Sequence, residues 1–176
     1  MTFGVSQSLK PTEEKFMGAR SYFLLNDEIT STDEVFVDKS QEVSGNADLL
    51  KGVKILVIDD NPINLSVAEK TLSKFGAVSY KSYSAKDGIK QFVSNQVDIV
   101  LMDLHMPLID GFEATKLIKQ TKEFQNNPIP ILAYTTYSYS EVKEAIKKYG
   151  LDGYIGKPFT QAHVVETIIA SIQKKK

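Results

Sequence analysis

Cysteine is absent from all 176 residues, which excludes disulfides, zinc ribbons and cysteine nucleophiles. Long apolar runs are absent too. The longest cover only a few residues, against the roughly 18–20 needed to cross a bilayer as a helix. Met1–Lys10 lacks a basic stretch followed by an apolar one, so no secretory signal is read there. Internal repeats and low-complexity tracts are also missing. What is present is 42% hydrophobic and 24% charged residues, the profile of a folded globular chain and not of a disordered one. The expected location is the cytoplasm, with no membrane contact made by this chain.

The length fits one domain of roughly 100–150 residues plus an extension. The formal net charge of −1 hides an uneven distribution. Residues 1–50 hold four basic and nine acidic side chains, a balance of −5, whereas residues 51–176 hold seventeen and thirteen, a balance of +4. That shift predicts a boundary near Leu50: an acidic, irregular and flexible leader over 1–50 and a folded domain over 51–176. Short apolar pieces of the leader, Ser21–Leu25 and Val35–Val37, are expected to supply at most a strand or helical turn that docks elsewhere. The surplus of the second part sits largely in Lys174–Lys176, read as a frayed, solvated helix end. It builds no stripe that could follow nucleic-acid phosphates, so direct nucleic-acid binding is not expected.

From Lys54 onward the pattern is regular. Val53–Ile58 is a β-branched run of the kind buried on both faces of a sheet. Asn61-Pro62 supplies a helix N-cap and first-turn proline, and Leu65, Ala68, Leu72 and Phe75 follow at helical spacing before Gly76. Val78–Tyr83 reads as a second strand. Ser84 with Asp87 resembles a capping box ahead of Ile89, Phe92 and Val93 on one helix face. Ile99–Met102 is a third strand, followed by a loop with Pro107 and Gly111 and a helix over Phe112–Lys119. Pro130–Tyr134 is a fourth strand. Ser138 and Glu141 cap a helix carrying Val142, Ala145, Ile146 and Tyr149, closed by Gly150. Gly153–Ile155 is a brief fifth strand, and Thr160 opens a last helix with Val165, Ile168, Ile169 and Ile172 inward. Five βα units in succession predict an α/β fold, a parallel sheet with helices on both faces.

In such sheets function gathers at the carboxyl ends of the strands. Asp59 and Asp60 follow the first strand, Asp103 the third, Thr135 and Thr136 the fourth, and Lys157 the fifth. Singly these residues say little. An Asp pair caps helices, an Asp after a strand turns the chain, a Thr finishes a strand, a Lys is solvated, and a lone loop histidine such as His105 is usually neither ligand nor base. Together they place three carboxylates, a hydroxyl and an ammonium at one edge. Three carboxylates that close repel one another and call for a cation. Hard oxygen donors in small number suit Mg²⁺. One carboxylate could then attack phosphorus while cation, ammonium and hydroxyl neutralise the phosphoryl oxygens, giving an aspartyl phosphate.

Four stretches carry a family resemblance: Ile55–Asn64, Leu101–Pro107 with Asp110-Gly111, Ala133–Thr136, and Gly156–Phe159. Together they resemble a response-regulator receiver domain over about Val53–Ile172. The resemblance implies a flavodoxin-like, doubly wound five-stranded sheet of order 2-1-3-4-5. It implies that Asp103 is the phosphoacceptor and a magnesium ligand, that Asp60 binds the metal directly, and that Asp59 acts through a bound water. His105 would give its backbone carbonyl to the metal. Lys157 would pair with the phosphoryl group, Thr135 would turn its hydroxyl to it, and Tyr154 would be the switch aromatic that moves inward with the threonine. The face expected to respond comprises the helix after the fourth strand, the fifth strand and the last helix. Thr136, where the family usually has alanine, and bulky Tyr137 and His105 depart from the pattern; they are expected to hinder an attacking water and lengthen the phosphoryl lifetime.

The loop Asp103–Lys119 is especially similar to receivers of hybrid sensor histidine kinases, which implies a place in a multistep phosphorelay. The partners implied are a sensor histidine kinase or a histidine-phosphotransfer protein and a downstream protein target, with a phosphorylation-dependent dimer left open. Met1 fits a receiver standing alone, as against the last piece of a larger kinase, and no output domain is expected after the final helix. The activity expected is that of a switch that assists its own phosphorylation and dephosphorylation, not of an enzyme turning over a substrate. Two other classes stand as alternatives. A magnesium-dependent aspartyl phosphatase places a second acid two positions after its nucleophile, where this chain has Asn61 after Asp59 and Pro62 after Asp60. A pseudo-receiver that only binds is countered by the intact key positions.

Overall fold

The computed structural model describes residues 22–25, 28–31 and 48–175. Its strands are β1 (Tyr22–Leu25), β2 (Glu28–Ser31), β3 (Lys54–Ile58), β4 (Val78–Ser82), β5 (Ile99–Met102), β6 (Ile131–Thr135) and β7 (Gly153–Gly156). Its helices are α1 (Pro62–Ser73), α2 (Ala85–Ser94), α3 (Gly111–Lys119), α4 (Lys122–Asn126), α5 (Tyr139–Tyr149) and α6 (Gln161–Lys174).

Strands β4-β3-β5-β6-β7 are parallel, the order 2-1-3-4-5 expected of the regular part of the chain. Every residue of β5 and β6 is buried, as is all of β3 after Lys54. Alternate side chains feed two separate cores, which is why these strands read as unbroken apolar runs. One core joins Leu56, Ile58, Val100 and Met102 to Phe92 of α2, Ala114 and Ile118 of α3, and Ile146 of α5. The other joins Ile55, Val57, Leu101 and Leu132 to Leu65 and Leu72 of α1 and Val165 and Ile168 of α6. The sheet is therefore covered by helices on both faces.

Local signals place the helix starts. Asn61 accepts from the Ile63 amide at 2.9 Å, and Asp110 accepts from the Glu113 amide at 2.8 Å. Ser138 opens α5 as a capping box with Glu141, whose carboxylate accepts from the Ser138 amide at 2.7 Å. Gly150 ends α5 at φ 68, a left-handed conformation that glycine adopts without cost. At α2 the reciprocal bond is missing. Ser84 accepts from the Asp87 amide at 3.2 Å, but the Asp87 carboxylate turns to the Ser82 hydroxyl at 2.7 Å.

Four features differ from the sequence reading. Val93 is 45% exposed, because α2 stops at Ser94 and Phe92 with Ile89 already fills its contact with the core. The short helix α4 was not legible; at five residues it is too brief to display a period, although Thr121 caps it and Phe124 is buried against Phe92. Lys175 is not frayed: its ammonium lies 3.1 Å from Asp152 Oδ1 and donates to the Ile129 carbonyl at 3.2 Å. Finally, β1 and β2 form an antiparallel hairpin, and β1 pairs antiparallel with β7, so the sheet has seven strands. The apolar piece Val35–Val37 lies outside the described residues. Among those described, no helix is long and apolar enough to cross a membrane.

Leu101, fully buried in a central strand, has no room to relax if shortened. Leu101→Ala is expected to cost about 2–5 kcal/mol, read as a lower urea midpoint with an unchanged denaturant slope.

Candidate functional site

Parallel pairing brings the carboxyl ends of β3, β5, β6 and β7 to one edge of the sheet. The residues just past those ends are Asp59-Asp60, Asp103, Thr135 at the tip of β6, and Lys157. Asp59, Asp60 and Asp103 each offer a carboxylate oxygen within 4.8 Å of the others. Asp59 and Asp103 are buried and Asp60 is exposed. The cluster is thus closed below and open to solvent on the Asp60 side.

Asp59 is held from three directions. Its Oδ1 accepts from the Asn61 amide at 2.8 Å and from Asn64 Nδ2 at 3.1 Å. Its Oδ2 accepts from Lys157 Nζ at 2.5 Å. The same ammonium lies 3.6 Å from Asp103 Oδ1. It also sits 4.3 Å from the centre of the Tyr134 ring, a cation–π contact that keeps a 9% exposed lysine side chain in place. Burial, and then the charges of Asp59 and Asp103, push the Tyr134 hydroxyl well above its ordinary value, so this phenol stays neutral.

Asp103 is the carboxyl group with unbalanced surroundings. Burial raises its pKa first of all; Lys157 opposes that, Asp59 adds to it, the His105 amide opposes it and Asp60 adds again. The His105 amide donates to Asp103 Oδ1 at a long 3.5 Å. Behind Asp103 the chain passes very close to α3: a Cβ on Gly111 would lie 2.1 Å from the Asp103 carbonyl oxygen. Only glycine fits there.

Thr135 and Tyr154 form a second group, joined through Tyr137. Thr135 is fully buried, and its hydroxyl oxygen accepts from the Tyr137 amide at 3.4 Å. The buried Tyr154 stands inward, its hydroxyl donating to the Tyr137 carbonyl at 2.6 Å and its ring edge-on to Tyr139 at 5.5 Å. Gly156 leaves the room: a Cβ there would lie 2.6 Å from the Tyr154 hydroxyl. Above the pocket, the exposed His105 and Tyr137 meet, with Nδ1 and hydroxyl 3.1 Å apart and rings nearly perpendicular. The His105 ring thus faces a phenol and not the acids.

The residues singled out in the sequence therefore fall into two connected sets. Asp59, Asp60, Asp103 and Lys157 share one pocket, while Thr135 and Tyr154 meet at the β6–α5 connection beside it. Three contributors were missed. Asn64 fixes Asp59, and its signal was its place five residues on, one turn into α1. Tyr134 seats Lys157, and Gly111 admits α3 against Asp103; neither has a signal in sequence spacing. The donor set also fits a magnesium ion. Three carboxylates against one ammonium leave a surplus of two negative charges, all donors are hard oxygens, and one side is open.

The chain is also similar to known proteins. The family model described as the response regulator receiver domain matches residues 55–169. Probable histidine kinase 4 of Oryza sativa subsp. japonica is 36% identical over 139 residues, covering 68% of this chain but only 14% of that protein. The chain thus spans about one seventh of the length of that relative. The receiver domain of a sensor histidine kinase from Pseudomonas aeruginosa PAO1, solved with a magnesium ion coordinated in its active site cleft, is 27% identical at a TM-score of 0.63, covering 69% of this chain and 98% of that one. The receiver domain of the histidine kinase CKI1 from Arabidopsis thaliana, complexed with Mg²⁺ and BeF₃⁻, is 27% identical at a TM-score of 0.59, covering 74% and 95%. With a family model across nearly the whole parallel sheet, and histidine-kinase receivers alike in sequence and in fold, the chain belongs to the response regulator receiver domain family.

Proposed function

We propose that this chain is a phosphoacceptor in a two-component phosphorelay, taking a phosphoryl group from a protein phosphohistidine onto Asp103. The observation that carries the reading is the single ammonium of Lys157 held between Asp59 and Asp103 over a three-carboxylate pocket. An Asp103 oxygen forms a bond to phosphorus as the bond from phosphorus to the donor imidazole nitrogen breaks. The imidazole keeps that electron pair and takes a proton. Asp60, Asp103 and the His105 carbonyl would hold a magnesium ion, with Asp59 acting through a water, and that ion would supply positive charge to the phosphoryl oxygens. The full set of hydrogen bonds to Asp59 supports its indirect part, since both its oxygens already accept from protein donors.

Lys157 then transfers its attention from Asp59 to the new phosphoryl group, whose charge exceeds that of the carboxylate it replaces. The Thr135 hydroxyl turns to a phosphoryl oxygen and gives up its bond from the Tyr137 amide. Because Tyr137 also holds the Tyr154 hydroxyl, that exchange reaches α5, β7 and α6, the face offered to a downstream protein or a second copy. The donor is a sensor histidine kinase or a histidine-phosphotransfer protein, the setting is the cytoplasm, and the chain assists its own dephosphorylation as well as its phosphorylation. The histidine kinases among its relatives and the magnesium in two related receivers support this assignment.

Incubation with Mg²⁺ and a small phosphodonor is expected to give acid-labile labelling at one site. Labelling is lost on chelation of Mg²⁺ and in Asp103→Asn; label persisting in Asp103→Asn overturns the reading. The raised Asp103 pKa gives a second outcome. The ionised form is disfavoured in the folded, metal-free protein, so the fold loses stability as pH rises through that pKa. Asp103→Asn should therefore raise the urea midpoint of metal-free protein at pH 7, with the difference vanishing below the ordinary aspartate value of 3.8. A third outcome concerns the His105–Tyr137 pair over the pocket: if it hinders water, Tyr137→Ala shortens the phosphoryl half-life, measured by loss of label after donor removal.

A further inference from the structure

The outer edge of the parallel sheet at β7 is a place where strand pairing is easy and little in β7 itself prevents it. Gly153-Tyr154-Ile155-Gly156 carries no charge and no proline, the two devices that commonly blunt an edge strand. The opposite edge, β4, does carry a charge, Lys81, which pairs with Glu69 at 2.6 Å. Backbone direction at β7 follows from its bonds to β6. The Lys157 amide donates to the Thr135 carbonyl at 2.7 Å. Since backbone groups alternate sides along a strand, Ile155 also faces β6 while Tyr154 points its N–H and C=O outward.

That outward position is occupied by the chain's own leader. β1 runs antiparallel to β7 with Tyr22 opposite Tyr154 and Phe23 opposite Gly153, and β2 covers the far side of β1. We infer that strands β1 and β2 are an intramolecular strand cap, which closes the β7 edge to pairing by any other chain and opens when Asp103 is modified. The coupling half rests on the proposed switch. The residue whose backbone pairs with the cap is the one whose hydroxyl is tied to Tyr137, and through it to the Thr135 hydroxyl. A rearrangement of Thr135 therefore reaches the strand that holds the cap.

Amide hydrogen exchange on the full chain tests both halves. In the unmodified protein the Tyr154 amide should exchange about tenfold or more slowly than in a double variant carrying Tyr22→Pro and Leu24→Pro, which removes the β1 donors. The Ile155 amide, facing β6, should stay protected in both, which separates loss of the cap from loss of the domain. Equal Tyr154 exchange in the two proteins overturns the cap. Adding Mg²⁺ and beryllofluoride should then speed exchange at Tyr154 in the wild type and leave Asp103→Asn unchanged. Unaltered Tyr154 exchange in protein whose bound fluoride is seen by fluorine NMR overturns the coupling. Absence of any bound fluoride counts instead against Asp103 as the acceptor, and the proline comparison still decides whether the cap exists.

Discussion

Lys157 lies with its ammonium 2.5 Å from Asp59 and 3.6 Å from Asp103, below the open mouth lined by Asp60. Asp59 and Asp103 have little water around them, and burial is the largest influence on Asp103. One cation among three acids cannot neutralise them. The surrounding structure manages the remainder by giving Asp59 two further donors, from Asn61 and Asn64, and by leaving Asp103 with only a long contact to the His105 amide. The two buried acids therefore differ in character. Asp59 is tied up and Asp103 is under-compensated, which is the asymmetry a pocket needs if one acid is to anchor and the other to react.

The sheet makes this arrangement possible. Parallel strands deliver their carboxyl ends to a common edge, and helices on both faces keep those ends from splaying. The aliphatic runs of β3, β5 and β6 are buried throughout, so the acids that follow them are held on rigid supports. The segment after β6 links the site to β7 through two contacts of Tyr137, its amide to Thr135 and its carbonyl to Tyr154. A change in charge at one end of that link therefore has a short physical route to the sheet edge.

Much of this was legible because it is encoded in short-range pattern. Asn61 and Thr160 begin their helices where side-chain oxygens accept from first-turn amides, and Ser138 begins α5 where the Glu141 carboxylate accepts from its amide. The acids and Lys157 were legible because each stands just past a readable strand. Helix α4 was not, being shorter than two turns. The aromatic seat of Lys157 was not either: Tyr134 precedes it by many residues, and nothing in their spacing says that ring and ammonium meet. The leader hairpin escaped for a similar reason. A short apolar segment can be given a strand by its own composition, but its partner is set by whichever edge lies open.

By itself the sequence determined the βα alternation, a parallel sheet with helices on both faces and the placing of three acids and a lysine after successive strands, because burial on two faces and helix capping act over a few neighbouring residues. Tertiary structure alone decided which oxygen meets which donor, that Asp103 is left short of compensation, that Gly111 must admit α3 against its carbonyl, and that β1 pairs with β7. Those outcomes depend on distances between segments far apart in the chain, and such distances exist only once the sheet has closed.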